Sequence, residues 1–334
     1  MSQPTPREIL KSLLQGNGAE RPLVVPIVFS LGARVENLPL RNYLENPTKI
    51  TNALRQIRGQ IRTDGVSCYF DPILEAEALG GTREWYEAGR ACSIRWPGSV
   101  RKGELPGGLR SAEGSASSPR VRTAVEVIRR LKSLLRDEPL LMAGVSGPFT
   151  LAARLTGINF DAMGEGQEPS ASALEAAAAA ITRIASAFVE AGANLIFIRE
   201  ESLPSLSVEA CEQWASLLAP LFNIVRFYEA LPVLQIPAAL ATAENVNAMW
   251  KQSWDAVLCA ASEEFVARAS DRGENLMFGC AVPCDALNES DASGARPPEF
   301  SGVKPALVTT DGDVPGKADL KRLMSILQSI GSRS

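Results

Sequence analysis

Short apolar runs rich in β-branched residues recur along this 334-residue chain, and most are followed by a longer segment with helical periodicity. Alternation of this kind is typical of βαβ units that build a parallel sheet. It predicts a (β/α)8 TIM barrel, formed as a single domain by residues 1–334, with a doubly wound open sheet as the alternative. The predicted strands are 23–29, 65–70, 140–146, 194–199, 232–237, 255–260, 276–282 and 306–310.

The segments between the predicted strands are of two kinds. Most have apolar residues at helical spacing, and they predict helices over 47–62, 120–136, 171–191, 208–230, 243–252, 262–271 and 317–330. Two are polar instead. Residues 98–119, rich in Gly and Ser, predict a flexible loop or flap, and residues 285–304 predict an insertion before the last strand. Long loops in compact domains are commonly functional lids.

The chain contains no histidine. This excludes Ser-His-Asp and Cys-His catalysis and every metal site that needs imidazole. Carboxylate, Lys, Tyr and Cys side chains remain for proton transfer, and Arg remains for binding anions. A formal net charge of -4 with mixed signs argues against nucleic-acid binding, and no apolar run is long enough to cross a bilayer. We therefore expect a cytoplasmic protein that binds a small molecule.

The cysteines are Cys68, Cys92, Cys211, Cys259, Cys280 and Cys284. Three of them lie in apolar, strand-like runs, where a free thiol packs as a small apolar side chain. Cys280 and Cys284 are separated by one residue more than the usual zinc-binding pair. We interpret the cysteines as structural thiols, with a zinc site as the alternative.

In a barrel of this type, chemistry is expected at the carboxyl ends of the strands and in the loops that follow them. Polar residues at these ends are therefore the candidates for a site. They are Ser30, Arg34, Asp71, Arg199, Glu200, Glu201, Gln235, Asp311 and Asp313. Adjacent side chains of an extended segment point to opposite faces, so one of Glu200 and Glu201 is expected to face inward and the other outward.

Four segments together resemble the uroporphyrinogen decarboxylase superfamily. They are YFDPILEAEALGG (69–81), MAGVSGPFTLAARLTG (142–157), AGANLIFIREESLPSLS (191–207) and TTDGDVPGKADLKRLM (309–324). The superfamily includes the haem-pathway decarboxylase and the zinc methyltransferases that move methyl groups between corrinoids and thiols. The resemblance implies the same TIM barrel and a homodimer.

The decarboxylase has an Asp at the end of its second strand that stabilises the cation formed when a pyrrole ring is protonated. Asp71 matches that position, so the resemblance implies that Asp71 is catalytic; a cap for the turn before Pro72 is the alternative. Arg34 matches the second of two arginines that hold substrate carboxylates, and Ser30 stands at the first. A surface salt bridge is the alternative role for Arg34.

Other family positions differ in this chain. Arg154 replaces a tyrosine and Asp311 replaces a histidine, while Glu200 is near a polar position that faces the cavity. The substrate-binding residues implied by the resemblance are Arg34, Ser30, Arg154, Arg199, Glu200, Gln235 and Asp311.

The zinc ligands of the methyltransferase branch are replaced. Its His-x-Cys pair reads Gln235-Ile236-Pro237 here, and its later Cys reads Gly312. An amide and a proline cannot replace imidazole and thiolate as zinc ligands. We therefore expect no metal and no organic cofactor.

Three functions follow as hypotheses. The first is decarboxylation of a tetrapyrrole or another carboxylated compound, with Asp71 stabilising the protonated intermediate and arginines holding carboxylates. The second is zinc-free methyl transfer with a corrinoid protein as partner. The third is a binder of a tetrapyrrole or corrinoid that has lost its chemistry.

Overall fold

The structure is a computed structural model that describes residues 3–89, 91–96, 102–136, 139–158, 168–204, 206–252, 254–271, 277–287, 305–316, 318 and 320–331. Eight parallel strands form one sheet, at the positions that the sequence predicts. They are β1 (Leu23–Val24), β2 (Gly65–Tyr69), β5 (Leu140–Ser146), β6 (Leu195–Arg199), β7 (Leu231–Ile236), β8 (Val257–Ala260), β9 (Phe278–Val282) and β10 (Leu307–Thr310). Around the sheet the order is β1-β10-β9-β8-β7-β6-β5-β2.

The first and last strands of this order meet, which nearly closes the barrel. The backbone N–H of Asp64 donates to the carbonyl of Val24 at 2.9 Å, and the N–H of Val24 donates to the Asp64 carboxylate at 2.8 Å. Arg21 holds that carboxylate in an ion pair at 2.7 Å. The (β/α)8 barrel is thus confirmed, and the open-sheet alternative is wrong. The single domain over residues 1–334 stays a prediction.

Helices cover the outside of the barrel. They are α1 (Pro6–Leu14), α2 (Leu31–Val35), α3 (Leu40–Leu44), α4 (Pro47–Gln60), α5 (Leu74–Ala78), α6 (Ala112–Ser115), α7 (Pro119–Leu135), α8 (Pro148–Thr156), α9 (Ala171–Ala191), α10 (Val208–Phe227), α11 (Ala243–Met249), α12 (Glu263–Asp271) and α13 (Leu320–Gly331). Local sequence sets where the long ones begin. Asn46 and Ser118 accept a hydrogen bond from the first turns of α4 and α7, and a proline follows each of them. A capping side chain and a proline at the first helical position both favour a helix start.

A short antiparallel hairpin was not predicted from the sequence. It pairs β3 (Thr82–Tyr86) with β4 (Ala91–Arg95) and lies between α5 and α6. The chain reverses through Glu87–Gly89, where Glu87 and Gly89 have positive φ. The hairpin carries Arg83, which proves central to the site.

The two predicted polar insertions are described in part. Residues 97–101 and 288–304 lie outside the described residues. Between residues 102 and 118 the chain forms turns and α6, and two backbone hydrogen bonds tie it to the barrel: Gly103 N–H to Thr156, and Arg110 N–H to Leu79, both at 2.9 Å. The flexibility of residues 98–119 stays a prediction.

By length and composition, α9 is apolar enough to cross a membrane. Half of the relevant window is buried inside the fold, however, and its buried side chains include Ile181, Ile184 and Phe188. The helix packs against α8 and α10. In this structure α9 is therefore a helix whose apolar face covers the sheet.

Candidate active site

A small cavity opens at the carboxyl ends of β2, β5 and β6. The residues that line it are Phe70, Asp71, Pro72, Gly144, Val145, Ser146, Arg199 and Glu201. Its side chains leave about 10 Å³ inside it, room for about one water molecule, so a ligand would have to displace a side chain such as that of Glu201 to enter.

Two arginines share one carboxylate at this cavity. Arg199 approaches one Glu201 oxygen at 3.2 Å, and Arg154 is paired with the other oxygen. Arg154 also donates to the hydroxyl of Ser146 at 2.8 Å. The side chains of Arg199 and Arg154 are 15% and 22% exposed, whereas that of Glu201 is 36% exposed. The cluster therefore carries one more positive than negative charge, and its acidic member is the most accessible to solvent.

Arg199 is fixed from several sides. Its Nε donates to the Gln235 amide oxygen at 2.9 Å, and one terminal nitrogen donates to the Asp311 carbonyl at 2.7 Å. Gln235 is itself held by a 2.9 Å bond to the Thr310 carbonyl, and the guanidinium stacks on the Phe70 ring. A guanidinium held in this way is preorganised, because little side-chain entropy is lost when it binds an anion.

Asp71 lies on the cavity wall, but a buried cation from the hairpin holds its carboxylate. Arg83 reaches both oxygens, at 2.6 and 3.2 Å, and the side chains of Arg83 and Asp71 are only 3% and 2% exposed. Arg83 also binds Glu77 at 2.7 Å. Burial alone would lower the pKa of Arg83, but the two carboxylates outweigh burial and raise it. Asp71 and Glu77 thus share Arg83, and Arg120 lies 3.5 Å from the Glu77 oxygen that Arg83 binds.

The Glu200 carboxylate is buried and is bound by hydrogen-bond donors inside the protein. Its carboxylate accepts hydrogen bonds from the backbone N–H of Phe149 and Thr150, from the Thr150 hydroxyl and from the Trp214 indole. The two amides belong to the first turn of α8, where a carboxylate satisfies free N–H groups. A Cβ on Gly147 would lie 2.2 Å from the Glu200 carboxyl carbon, so only glycine leaves room there.

We expect Glu200 to make the stability of the protein pH-dependent. Burial raises its pKa from 4.5 to about 7, against the opposing hydrogen bonds from Thr150. As pH rises above 4.5, the unfolded chain ionises first, so stability from this group is full at low pH and is lost through about pH 7. At 1.36 kcal/mol per pKa unit, this corresponds to on the order of 3 kcal/mol.

The measurement is urea unfolding of the wild type and Glu200→Gln from about pH 5 to about pH 8. The wild type should lose stability as pH rises, and the variant should lose on the order of 3 kcal/mol less over the same range. Equal pH dependence in the two proteins would contradict this assignment.

A second cluster of polar residues, which includes Asp311 and Asp313, lies at the carboxyl end of β10, beside β1. The Asp313 carboxylate accepts the N–H groups of Phe29 and Ser30 at 2.8 and 2.9 Å. Burial raises the pKa of Asp313 to about 6, and these hydrogen bonds oppose that rise. Asp311 accepts the Cys284 N–H at 2.8 Å, and the exposed Arg34 donates to the Gly316 carbonyl. Among the described residues, this group ties chain segments together rather than lining the cavity.

Comparison with protein families decides what kind of barrel this is. The model of the family described as "Uroporphyrinogen decarboxylase (URO-D)" matches residues 5–252. The chain belongs to the URO-D family. A search of curated proteins found no match.

Among solved structures similar to this URO-D family member, a methanogen methyltransferase shares its fold. A methyltransferase from Methanosarcina mazei is 17% identical, with a TM-score of 0.72, over 98% of each chain. At this identity the likeness shows the common barrel. A GH113 β-1,4-mannanase is 12% identical with a TM-score of 0.44, over 93% of this chain and 97% of that chain.

The positions that correspond to zinc ligands in the methyltransferase branch do not suit zinc here. The Gln235 amide oxygen is used by Arg199. A Cβ on Gly312 would lie 4.0 Å from a guanidinium nitrogen of Arg199 and 3.8 Å from the Cys284 sulfur. A cation at this place would repel Zn²⁺. Over the described ranges, no three Cys, Asp or Glu side chains are grouped so that they could hold a metal ion.

The structure brings together part of the site predicted for this URO-D family member. Asp71 and Arg199 line the cavity, Arg154 reaches it beside Ser146, and Gln235 and Asp311 hold Arg199 in place. The wall built by the described residues does not include Glu200, Ser30 or Arg34. The expected division between the two neighbouring glutamates is observed, with Glu201 at the cavity. Substrate-binding roles for all of these residues stay predictions.

Sequence reasoning missed three residues of this region. Arg83 was missed because its hairpin was not recognised, and Ser146 because only the motif around it was noted. Glu75 lies in the segment 69–81 and is completely buried, which a sequence reading of a charged residue does not suggest.

Proposed function

We propose that this chain is a URO-D family enzyme that removes a carboxyl group from a compact carboxylated substrate at the barrel mouth. The observation that carries the proposal is the Glu201 carboxylate between the guanidiniums of Arg154 and Arg199. It occupies the place that a substrate carboxylate would take. A substrate that displaces the half-exposed Glu201 would find two preorganised cations.

The proposed substrate carries its carboxyl group on an electron-rich ring such as a pyrrole. Protonation of the ring creates a cation that accepts the electron pair of the breaking C–C bond, so that one proton is consumed for each CO2 released. Asp71 lies on the wall, where Arg83 holds its carboxylate in place. This carboxylate is the group that we assign to stabilise the ring cation. The reaction as proposed uses no metal and no organic cofactor.

The number of carboxylate positions favours a substrate with few carboxyl groups. On the described wall, one position lies between two guanidiniums, and Glu201 fills it. We therefore propose a single-ring or similarly compact carboxylated compound as the substrate class.

The test offers the protein two probes under anaerobic conditions, uroporphyrinogen III and pyrrole-2-acetate. Carboxyl loss is counted by chromatography, with Asp71→Asn in parallel. We expect pyrrole-2-acetate to lose its carboxyl group faster than uroporphyrinogen, and Asp71→Asn to be about 10²–10³-fold slower, the usual loss when one stabilising group is removed. No CO2 from either probe would end the decarboxylase proposal.

A second candidate is methyl transfer with a corrinoid protein as partner. It is favoured by the fold shared with a methyltransferase over 98% of both chains. Substrate activation would then rest on hydrogen bonds rather than zinc, because the zinc-ligand positions do not suit the ion. Incubation with cob(I)alamin and a methoxylated compound or a methylamine tests it: methylcobalamin formation supports it, and its absence removes it.

Location and assembly complete the proposal. All six cysteines are free thiols, which is the usual state in a reducing compartment and supports a cytoplasmic location. A homodimer is proposed from the family resemblance, and light scattering would test it. Tight binding of uroporphyrinogen without turnover, unaffected by Asp71→Asn, would instead identify a non-catalytic binder.

A further inference from the structure

A completely buried carboxyl group lies behind the cavity wall. Glu75, on α5, has no exposed surface. One of its oxygens accepts the Ser146 N–H at 2.9 Å, and the other lies 3.0 Å from the Ser146 hydroxyl. None of the steps proposed above uses this group. A buried acid connected to one cavity residue is a candidate proton store.

Ser146 stands between Glu75 and the cavity. It ends β5 and lines the cavity, and its hydroxyl also contacts Arg154 at 2.8 Å and the Pro72 carbonyl at 3.2 Å. A hydroxyl donates one hydrogen bond and accepts up to two. The hydroxyl donates to the ionised Glu75 carboxylate. When Glu75 is protonated, the hydroxyl can accept from Glu75 and from Arg154, and its own proton then bonds to the Pro72 carbonyl or to a ligand.

We propose that Ser146 passes a proton from Glu75 to the substrate as CO2 leaves. This inference rests on the proposed decarboxylation. Ser146 would be the residue that meets the substrate, and Glu75 would act through it as a positioning residue. The C–C bond breaks, its electron pair enters the protonated ring, and CO2 departs, which leaves an exocyclic methylene carbon. The Ser146 proton goes to that carbon, and the Glu75 proton replaces it on Ser146. The ring carbon then returns its added proton to solvent and solvent reprotonates Glu75, so that one proton is consumed for each CO2.

The titration of Glu75 agrees with this role. Burial raises its pKa to about 7, while hydrogen bonds from Ser146 and the positive charge of Arg154 on α8 oppose the rise. On the α7 side, Arg120 pairs with Glu77 and Glu45. Near neutral pH both forms of Glu75 are therefore populated, which suits a group that gives and regains a proton.

The first test is the pH dependence of CO2 release from pyrrole-2-acetate. Loss of rate above about pH 7 is expected in the wild type, because Glu75 must be protonated. Glu75→Gln and Ser146→Ala should each lower kcat about 10²–10⁴-fold, the usual contribution of general acid catalysis. Both should also abolish the decline in rate above about pH 7, which is the alkaline limb of the pH–rate profile. KM should change little, because Arg199 still binds the carboxylate.

Glu200→Gln is the matched control, since Glu200 is also a buried glutamate whose pKa is raised to about 7. Its carboxylate contacts α8 and Trp214 rather than the cavity, so the limb should persist at the same pH. Ser146→Ala retains the hydrogen bond from the residue 146 backbone N–H to Glu75. If Glu75→Gln does not fold, the pH–rate profile of Ser146→Ala alone tests the inference. An unchanged limb in Glu75→Gln or Ser146→Ala would overturn the inference.

A second readout does not need turnover. Acetate bound between Arg154 and Arg199 adds a negative charge while the displaced Glu201 carboxylate stays at the cavity mouth, so binding near pH 7 should raise the pKa of Glu75 and take up a fraction of a proton. Calorimetry in buffers of different ionisation enthalpy measures that uptake. It should occur in the wild type and in Glu200→Gln, and should vanish in Glu75→Gln.

Measuring both CO2 release and proton uptake distinguishes a failure of the decarboxylase proposal from a failure of the Glu75 inference. Proton uptake that depends on Glu75, without CO2 release, would overturn the decarboxylase proposal and the proton transfer, and would leave Glu75 only as a store coupled to anion binding. CO2 release with an unchanged limb in the variants would overturn the Glu75 inference alone. If the protein neither binds acetate nor releases CO2, both the decarboxylase proposal and the Glu75 inference are overturned.

Discussion

Arg199→Met is expected to bind pyrrole-2-acetate about 100-fold more weakly than the wild type. A hydrogen bond to a charged group contributes about 1.5–3 kcal/mol, so losing a two-pronged contact costs about 3 kcal/mol or more. That energy corresponds to about 100-fold in Kd. Calorimetric titration at fixed ionic strength measures the difference.

Arg199→Lys is the control for charge. Lysine keeps the positive charge but lacks the planar fork that bonds Gln235, the Asp311 carbonyl and a ligand at once. We expect an affinity between those of the wild type and Arg199→Met. Equal affinity of Arg199→Met and the wild type would show that the carboxylate binds elsewhere.

Arg83→Met is expected to produce the largest loss of stability, about 3–5 kcal/mol. Removing one partner of a buried ion pair leaves the other charge without compensation, and here both Asp71 and Glu77 lose their shared cation. The free energy of unfolding, measured in urea at neutral pH, gives the size of the loss.

The double variant Asp71→Asn with Arg83→Met separates the ion pair from packing. Because it removes the buried charge together with its partner, it should recover a substantial part of the stability that Arg83→Met loses. A loss below about 1 kcal/mol in Arg83→Met would mean that the pair behaves as an exposed salt bridge. Additive effects of the two substitutions would mean that they do not interact.

The barrel could be predicted because its strands are buried on both faces. Such strands appear as continuous apolar runs, as in LLMAGVS at 140–146, and every residue of that strand is buried. The long helices carry capping residues and prolines at their starts, which the sequence shows directly.

The β3–β4 hairpin could not be predicted in the same way. In β3, exposed and half-buried residues alternate, so no apolar run marks it. The turn also lacks the usual Asn-Gly or Asp-Gly pair, and places Glu87 at positive φ. Missing the hairpin hid Arg83, and Asp71 therefore appeared to face the cavity without a partner.

The candidate site was predictable in outline. Strand-end polar residues identified Asp71, Arg199 and Gln235, and side-chain alternation predicted that one of two neighbouring glutamates faces inward. The family resemblance placed Glu200 near the cavity position, whereas Glu201 lines the described cavity wall, because the orientation of the pair depends on how the chain leaves β6. Glu200 points to the first turn of α8, where its carboxylate fits only because Gly147 has no side chain.

The most direct test of the central claim compares pyrrole-2-acetate with its neutral amide, pyrrole-2-acetamide, as ligands of the wild-type protein. The two have nearly the same size and differ in charge. If the barrel mouth holds a carboxylate between Arg154 and Arg199, the acid should bind at least tenfold more tightly, and added salt should reduce the difference. Equal affinity for acid and amide would contradict a carboxylate-binding mouth.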